Sequence, residues 1–391
     1  MTVELDLTGV AHGGEAVGRA GDLVTFVALG LPAERARVEI EEKKPRFQRG
    51  RVAEVLTPSP ARVTAPCPIF GTCGGCHWQH ASYAAQLEIK TAVLRDQLAR
   101  IGGIADPPVG PAVASPVEWH YRNRVQVVPV PGTRLVGFRR ARSHDAVPVE
   151  HCYISDQEIN AVISAAPWND LPSGEWGRVE EIDIRVAPGR EPLVRVLGSG
   201  LRPSEGQLRY ELGGETYDVP GGAFFQVNTR AAEKLVEQAM GWLAPERGEH
   251  VVDAYGGVGT FAVPIARRAE RVTVIEAEGP SVGAVQGNAA RNGLSNVRAV
   301  ASTVERGLAA LRERVDAVLV DPPRRGCGPS VTKEIARLAP SRVVYVSCEP
   351  STLARDARAL LDGGYRLVRS RVVDMFPQTF HLESVTLFTL G

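Results

Sequence analysis

Apolar and polar positions divide this chain into three stretches of different rhythm. From about Gly221 onward, short apolar runs alternate with segments of helical periodicity. HVVDAY, RVTVIEAE, NVRAVAS, VDAVLVDPP and VVYVSC read as strands. Thr260 to Arg268, Ser281 to Asn292, Val304 to Arg314, Val331 to Leu338 and Thr352 to Asp362 read as the helices that follow them. This alternation predicts a mainly parallel, doubly wound sheet. Two closing segments, YRLVRSRVVDMF and LESVTLFTL, have no helix between them and predict an antiparallel edge hairpin.

The first 58 residues hold short β-type runs (LVTFVAL, RARVEI, GRVAEVL) broken by Gly, Pro and charged turns, which predict a small OB-like barrel. Residues 59–217 mix one helix, Ser82 to Arg100, with β-type segments such as YRNRVQVVPV and RVEEIDIRVA. The expected division is therefore 1–58, a central mixed α+β unit at 59–217, and a doubly wound unit at 218–391.

Composition is that of a soluble globular chain: 391 residues, 44% hydrophobic and 23% charged. No apolar run approaches the ~18 residues of a spanning helix, and MTVELD lacks the features of a secretory leader. The expectation is a cytoplasmic protein with no membrane association. Forty-five basic residues balance 45 acidic ones, so any nucleic-acid surface must be local. KKPRFQRGR (Lys43 to Arg51), FRRAR (Phe138 to Arg142), Arg122 and Arg124 are the candidates, against the alternative of a solvated face. Six cysteines, three of them within ten positions, favour metal binding or catalysis over a disulfide framework.

Four elements carry chemistry. VVDAYGGVGTF places Gly256, Gly257 and Gly259 in a strand-to-helix turn where backbone can approach a ligand. Glu276 follows twenty positions after Gly256, at the end of the next strand, where a carboxylate can accept ribose hydroxyls. The turn alone suits NAD or S-adenosylmethionine, but the spacing is not G-x-G-x-x-G. With the terminal hairpin, the pattern is more typical of class I (Rossmann-like) methyltransferases. VLVDPPRRG ends a strand with Asp321 and a rigid Pro-Pro pair, an element that also occurs in amino-group methyltransferases. CPIFGTCGGCHWQH gives Cys67, Cys73 and Cys76, with Cys152 as a distant fourth thiol. These suit a 4Fe–4S cluster or zinc, with His77, His80 and His151 as alternative zinc ligands. Finally, Cys348 in VVYVSCEP sits at the carboxyl end of a strand, where α/β sheets bind ligands. Cys327 reads as an ordinary free cysteine.

Over nearly its whole length the chain resembles the RNA uracil-5-methyltransferases that form 5-methyluridine in tRNA and 23S rRNA. GVAHGGEAVGR looks like the start of a TRAM domain, and the cysteine pattern resembles that of the 23S rRNA branch, which implies a 4Fe–4S cluster. GGAFFQVN matches a segment whose glutamine, here Gln226, touches the cofactor; DAYGGVGTF (with Tyr255), Glu276 and the Asp321 motif match the other cofactor elements. The resemblance makes Cys348 the nucleophile and Glu383, in DMFPQTFHLESV, the catalytic base, with His381 either orienting it or structural. Two positions depart from the family pattern. Glu349 replaces a usual Asn and is expected to raise the thiol pKa, and Tyr255-Gly256-Gly257 replaces Phe-Cys-Gly.

The chemistry fits these groups. Carbon 5 of uracil is too weak a nucleophile until a thiolate adds at carbon 6, and a base must then remove the carbon 5 proton. The target base must be splayed from structured RNA, with Arg46, Phe47, Arg49 and Arg51 candidates for holding its flanks. The partner expected is RNA, 23S rRNA ahead of tRNA, bound by a monomer without an obligate protein partner. The rival readings are an amino-group methyltransferase working through Asp321 and a non-catalytic RNA-binding protein.

Overall fold

A computed structural model describes all 391 residues. Strands β1 (Thr2–Val10), β2 (Ala16–Ala20), β3 (Leu23–Ala28), β4 (Glu34–Lys43) and β5 (Phe47–Thr57) close into a barrel in the order β1-β2-β3-β5-β4. Alternation drives the closure: Leu5, Leu7, Val27, Ala36 and Val38 point inward while the charged residues between them face water. The expected barrel is present.

The cysteine loop follows and leads into α1 (Tyr83–Arg100). Next come β6 (Arg124–Pro129), β7 (Val136–Arg139), β8 (Ala146–Pro148), α2 (Gln157–Ala165), a single helical turn α3 (Ser173–Trp176), β9 (Val179–Arg185) and β10 (Leu193–Gly198). The strands form one sheet, β10-β9-β6-β7-β8. Asp156 caps α2 by accepting the Glu158 N–H, and Ile159 and Ile163 pack on Val125, Val127, Ile182 and Ile184 of the sheet. A hairpin of β11 (Gln207–Leu212) and β12 (Glu215–Pro220) lies across the boundary expected at residue 217.

The remainder is the doubly wound unit. After α4 (Thr229–Leu243) come β13 (His250–Ala254), α5 (Ala262–Ala266), β14 (Arg271–Glu276), α6 (Gly279–Arg291), β15 (Val297–Ala301), α7 (Val304–Ala310), β16 (Ala317–Val320), α8 (Gly328–Leu338), β17 (Arg342–Ser347), α9 (Pro350–Asp362), β18 (Tyr365–Val372) and β19 (Ser384–Leu390). The sheet order is β15-β14-β13-β16-β17-β19-β18, all parallel except β19, which runs antiparallel to both neighbours. Apolar clusters cover both faces, as a central parallel sheet requires. The strand order reverses between β13 and β16, so a crevice opens at their carboxyl ends. Because β19 is reversed, its amino end meets the carboxyl end of β17 at that same rim. No helix is long and apolar enough to cross a membrane.

Candidate active site

The β17–β19 ladder pairs Ser347 with Ser384, the last rung before both strands leave the sheet. Cys348 follows Ser347 and Glu383 precedes Ser384, so the two are cross-strand neighbours although 35 positions apart in sequence. Burial pushes the Cys348 thiol up to about 12; Glu383 and then Asp321 add to this, and Arg324 opposes it. Glu383 is only 5% exposed, and its Oε1 has no hydrogen-bond partner. Burial first, and Asp321 next, raise this carboxyl far above its ordinary value. Asp321, the residue that follows β16 on the adjoining strand, is itself raised by burial to about 7. Thiol and two carboxyls are thus close enough to act on one another's ionisation in poorly solvated surroundings.

Glu349 behaves differently from the sequence expectation. Its carboxylate turns to the first turn of α9, accepting the Ser351 Oγ–H at 2.6 Å and the Ser351 N–H at 3.3 Å. His12 Nε2, from the barrel loop between β1 and β2, lies 2.7 Å from the same Oε1. Burial works against ionisation here, but the His12 and Ser351 bonds outweigh it and hold the carboxyl at about 2. The acids that raise the thiol are therefore Glu383 and Asp321. Glu349 is a helix cap and a tie to the barrel.

The glycine turn after β13 lines the same crevice. A Cβ on Gly256 would stand 2.3 Å from Val274 Cγ1, so this glycine is required by packing against β14. A Cβ on Gly257 would meet nothing within 4 Å, which leaves its backbone open to a ligand. Tyr255 (φ 64°), Gly257 (φ 54°) and Gly259 (φ 93°) hold the turn in the left-handed region, a strained choice for the tyrosine. Glu276 orders the next turn by accepting the N–H groups of Gly257, Ala277 and Glu278. Gln226 is buried, and its carbonyl accepts from Asn123 Nδ2 at 3.1 Å. Sequence reasoning passed over Asp253, one residue before the end of β13. It is fully buried, and neither carboxylate oxygen has a hydrogen-bond partner. Burial, then Asp321, raises it far above its ordinary value, with the Ala262 amide opposing less. An acid placed in the motif DAYGG was the available signal.

Cys67, Cys73, Cys76 and Cys152 all line one cavity of about 970 Å³, together with Arg122, Arg140, Arg142 and the barrel loop His12–Glu15. Burial raises the thiols of Cys67, Cys73 (about 11) and Cys76 (about 12), and proximity to Cys152 adds to each. The Gly75 N–H donates to Cys73 Sγ at 3.4 Å. No set of three or more His, Cys, Asp or Glu side chains is grouped as for a single metal ion. The candidate zinc histidines are packing residues: His77 meets the Phe380 ring, His80 the Phe70 ring, and His151 the rings of His120 and Tyr153.

The model of the tRNA (uracil-5-)-methyltransferase family matches residues 208–390, which include Cys348, Glu383, Asp321 and the glycine turn. Along almost the full chain it is 37% identical to a 23S rRNA (uracil(1939)-C(5))-methyltransferase RlmD of Edwardsiella ictaluri, covering 96% of this chain and 93% of that one. This chain belongs to the RNA uracil-5-methyltransferases. It is a further 33% identical to an uncharacterized RNA methyltransferase of Thermosynechococcus vestitus, over 99% and 98% of the two chains. A solved structure of the Pyrococcus abyssi tRNA (uracil-54, C5)-methyltransferase with S-adenosyl-L-homocysteine superposes at TM-score 0.77, with 23% identity, covering 99% of this chain and 100% of that one. The protein is accordingly an S-adenosylmethionine-dependent enzyme that methylates carbon 5 of uracil in RNA.

Other sequence candidates of this methyltransferase are placed as follows. His381 does not bond Glu383; it packs on Phe376, Phe380 and His77, and lies 3.4 Å from an Arg324 nitrogen through Nδ1. Burial lowers its pKa to about 3, with Arg324 contributing. Arg49 lies over the rings of Phe26 and Phe47, both at 5.6 Å. Arg51 donates to the Gly71 carbonyl at 2.7 Å, tying the barrel to the cysteine loop. Arg46 is exposed. Cys327 is buried and donates its N–H to Asp356 at 2.7 Å, in keeping with a structural role.

Proposed function

We propose that the enzyme methylates carbon 5 of a specific uridine in structured RNA through a covalent bond between Cys348 and carbon 6, with 23S rRNA as the substrate class. The observation that carries this reading is the placing of Cys348 and Glu383 next to the Ser347–Ser384 rung that ends the β17–β19 ladder. Cys348 gives up its proton to Asp321, one of the two carboxylates whose charges bear on the thiol. The sulfur bonds to carbon 6, and the carbon 5–carbon 6 double bond supplies the electrons that carbon 5 uses to take the methyl group. S-adenosylmethionine supplies an electrophilic methyl on a sulfonium cation and departs as the neutral thioether. Glu383 then removes the carbon 5 proton; the double bond re-forms, and the carbon 6–sulfur bond breaks to return the thiolate.

The methyl-donor site fits the residues around the crevice: the open backbone of Gly257, with Gly259, Tyr255, Gly256, Glu276, Gln226 and Asp321. Three buried acids, Asp253, Asp321 and Glu383, lack a positive partner. A cationic donor is the partner that favours their ionised forms. Cys67, Cys73, Cys76 and Cys152, four thiols around one cavity, are the donor set that a 4Fe–4S cluster would take. Its place is structural, since methyl transfer moves no electron. The barrel and central sheet hold the RNA flanking the target. The RlmD relatives at 32–37% identity favour 23S rRNA over tRNA.

The test is to incubate enzyme, labelled S-adenosylmethionine and either 23S rRNA or tRNA transcripts, then map the labelled base. Expected is 5-methyluridine in 23S rRNA, abolished by Cys348→Ala. Methylation that survives Cys348→Ala would move the reading to amino-group transfer through Asp321.

A further inference from the structure

The segment Asp374–Leu382 joins β18 to β19 and ends on Glu383. It is a connection between strands, yet much of it is buried: Asp374, Met375, Gln378, Thr379 and Leu382 are each at most 2% exposed. Its backbone is held from one side by α1. Gln86, fully buried, accepts the Gln378 N–H at 2.8 Å through Oε1 and donates to Gln378 Oε1 at 2.9 Å through Nε2. The same amide donates to the carbonyls of Ala81 and Trp78. Gln378 has φ 69°, an unusual conformation for a side chain of its size, and its carbonyl accepts the N–H groups of His77 and Trp78.

One helical turn further on, Lys90 is fully buried, with Nζ 2.6 Å from Asp374 Oδ1 and 2.9 Å from the Phe376 carbonyl. Asp374 Oδ1 also accepts the Phe376 N–H, while Oδ2 has no partner. A buried ion pair that leaves one oxygen unsatisfied is a poor device for stability alone. Its geometric effect is specific: it fixes the first residue of the segment, as Gln86 fixes the middle. Glu383, at the far end, is tied through its backbone, its carbonyl accepting the Val373 N–H at 2.9 Å, but its carboxyl Oε1 has no partner.

We propose that Gln86 and Lys90 are positioning residues for Glu383: through Gln378 and Asp374 they set where the carboxylate stands relative to the substrate carbon. The proposal rests on the reading of Glu383 as the base. It makes proton removal the step that depends on α1, while formation of the Cys348 bond depends on β17 and α9.

The test uses the full-length enzyme with labelled S-adenosylmethionine and substrate RNA, comparing Gln86→Leu with wild type and with Glu383→Gln. Turnover and the covalent protein–RNA species that survives denaturing electrophoresis are both measured. Gln86→Leu is expected to lower kcat on the order of 10–100-fold, to leave KM for RNA and methyl donor within about twofold of wild type, and to accumulate the methylated covalent species as Glu383→Gln does. Unchanged turnover, or turnover and covalent species falling together, overturns the proposal. If Glu383→Gln accumulates no covalent species, the assignment of the base itself falls and the proposal falls with it. Should Gln86→Leu not fold, Lys90→Met combined with Asp374→Asn decides by the same readout, because the pair is replaced without stranding a buried charge.

Discussion

At the level of single residues, the thiol is the group whose environment is most revealing. Its value near 12 follows from burial first and the Glu383 and Asp321 charges second. Removing one of those charges must therefore make the thiolate easier to form. Asp321→Asn is expected to shift the pH dependence of Cys348 alkylation by iodoacetamide to lower pH, read on the Cys348 peptide by mass spectrometry. A shift to higher pH would show that Asp321 does not act on the thiol by charge. Glu349 carries the opposite sign. Its folded value near 2 lies below the ordinary 4.5, so the stability it contributes is complete above about pH 4.5 and disappears as pH falls toward 2. Glu349→Ala is expected to cost about 0.5–2 kcal/mol at neutral pH, as loss of a helix cap does. Urea titrations of variant and wild type should converge between pH 5 and pH 2. Glu349→Asn, which keeps a capping side chain, should recover most of the loss. The sequence named Glu349 as a neighbour of the thiol, but adjacency along a chain does not say where a side chain turns. The His12 tie comes from more than 330 positions away, and no local pattern encodes it.

Among the elements, the β–α alternation was legible because the central strands β13, β14, β16 and β17 are buried on both faces and read as apolar runs. The barrel was legible from short alternating runs and turn residues. Helix α4 was not identified, although its apolar side, Ala231, Ala232, Leu235, Ala239, Met240 and Leu243, recurs at helical spacing. The joining of Cys348 to Glu383 was available from the sequence only through family resemblance, because strand order and register are long-range properties. The glycine turn separates two roles that sequence had merged. Gly256→Ala should destabilise the protein by about 1–3 kcal/mol, since its methyl collides with Val274. Gly257→Val faces open space but must take φ 54°, and should weaken S-adenosylmethionine binding out of proportion to any loss in thermal midpoint. Calorimetric titration alongside thermal melts separates the two; equal loss of affinity and stability in both variants would contradict the division.

For the whole molecule, the cysteine cavity joins the barrel loop, the central sheet and the segment leading to Glu383. Cys73→Ser is expected to lose bound iron, measured by metal analysis of anaerobically purified protein, while the five other cysteines remain. Iron content equal to wild type would remove Cys73 from the ligand set. The net charge of zero conceals a local cationic wall at Arg122, Arg139, Arg140 and Arg142. RNA affinity should fall steeply with salt, and Arg140→Ala should reduce the slope of log affinity against log salt by about one. An unchanged slope would place the RNA elsewhere.

The antiparallel β19 also bears on how such an enzyme can change over generations. Cys348 and Glu383, the proposed nucleophile and base, stand just beyond the last rung of a hydrogen-bond ladder, which acts as a ruler built into the sheet. Loops on the barrel and central sheet can lengthen, shorten or alter in charge without disturbing that ruler. Choice of RNA target is thereby free to drift while the spacing of Cys348 and Glu383 stays inherited.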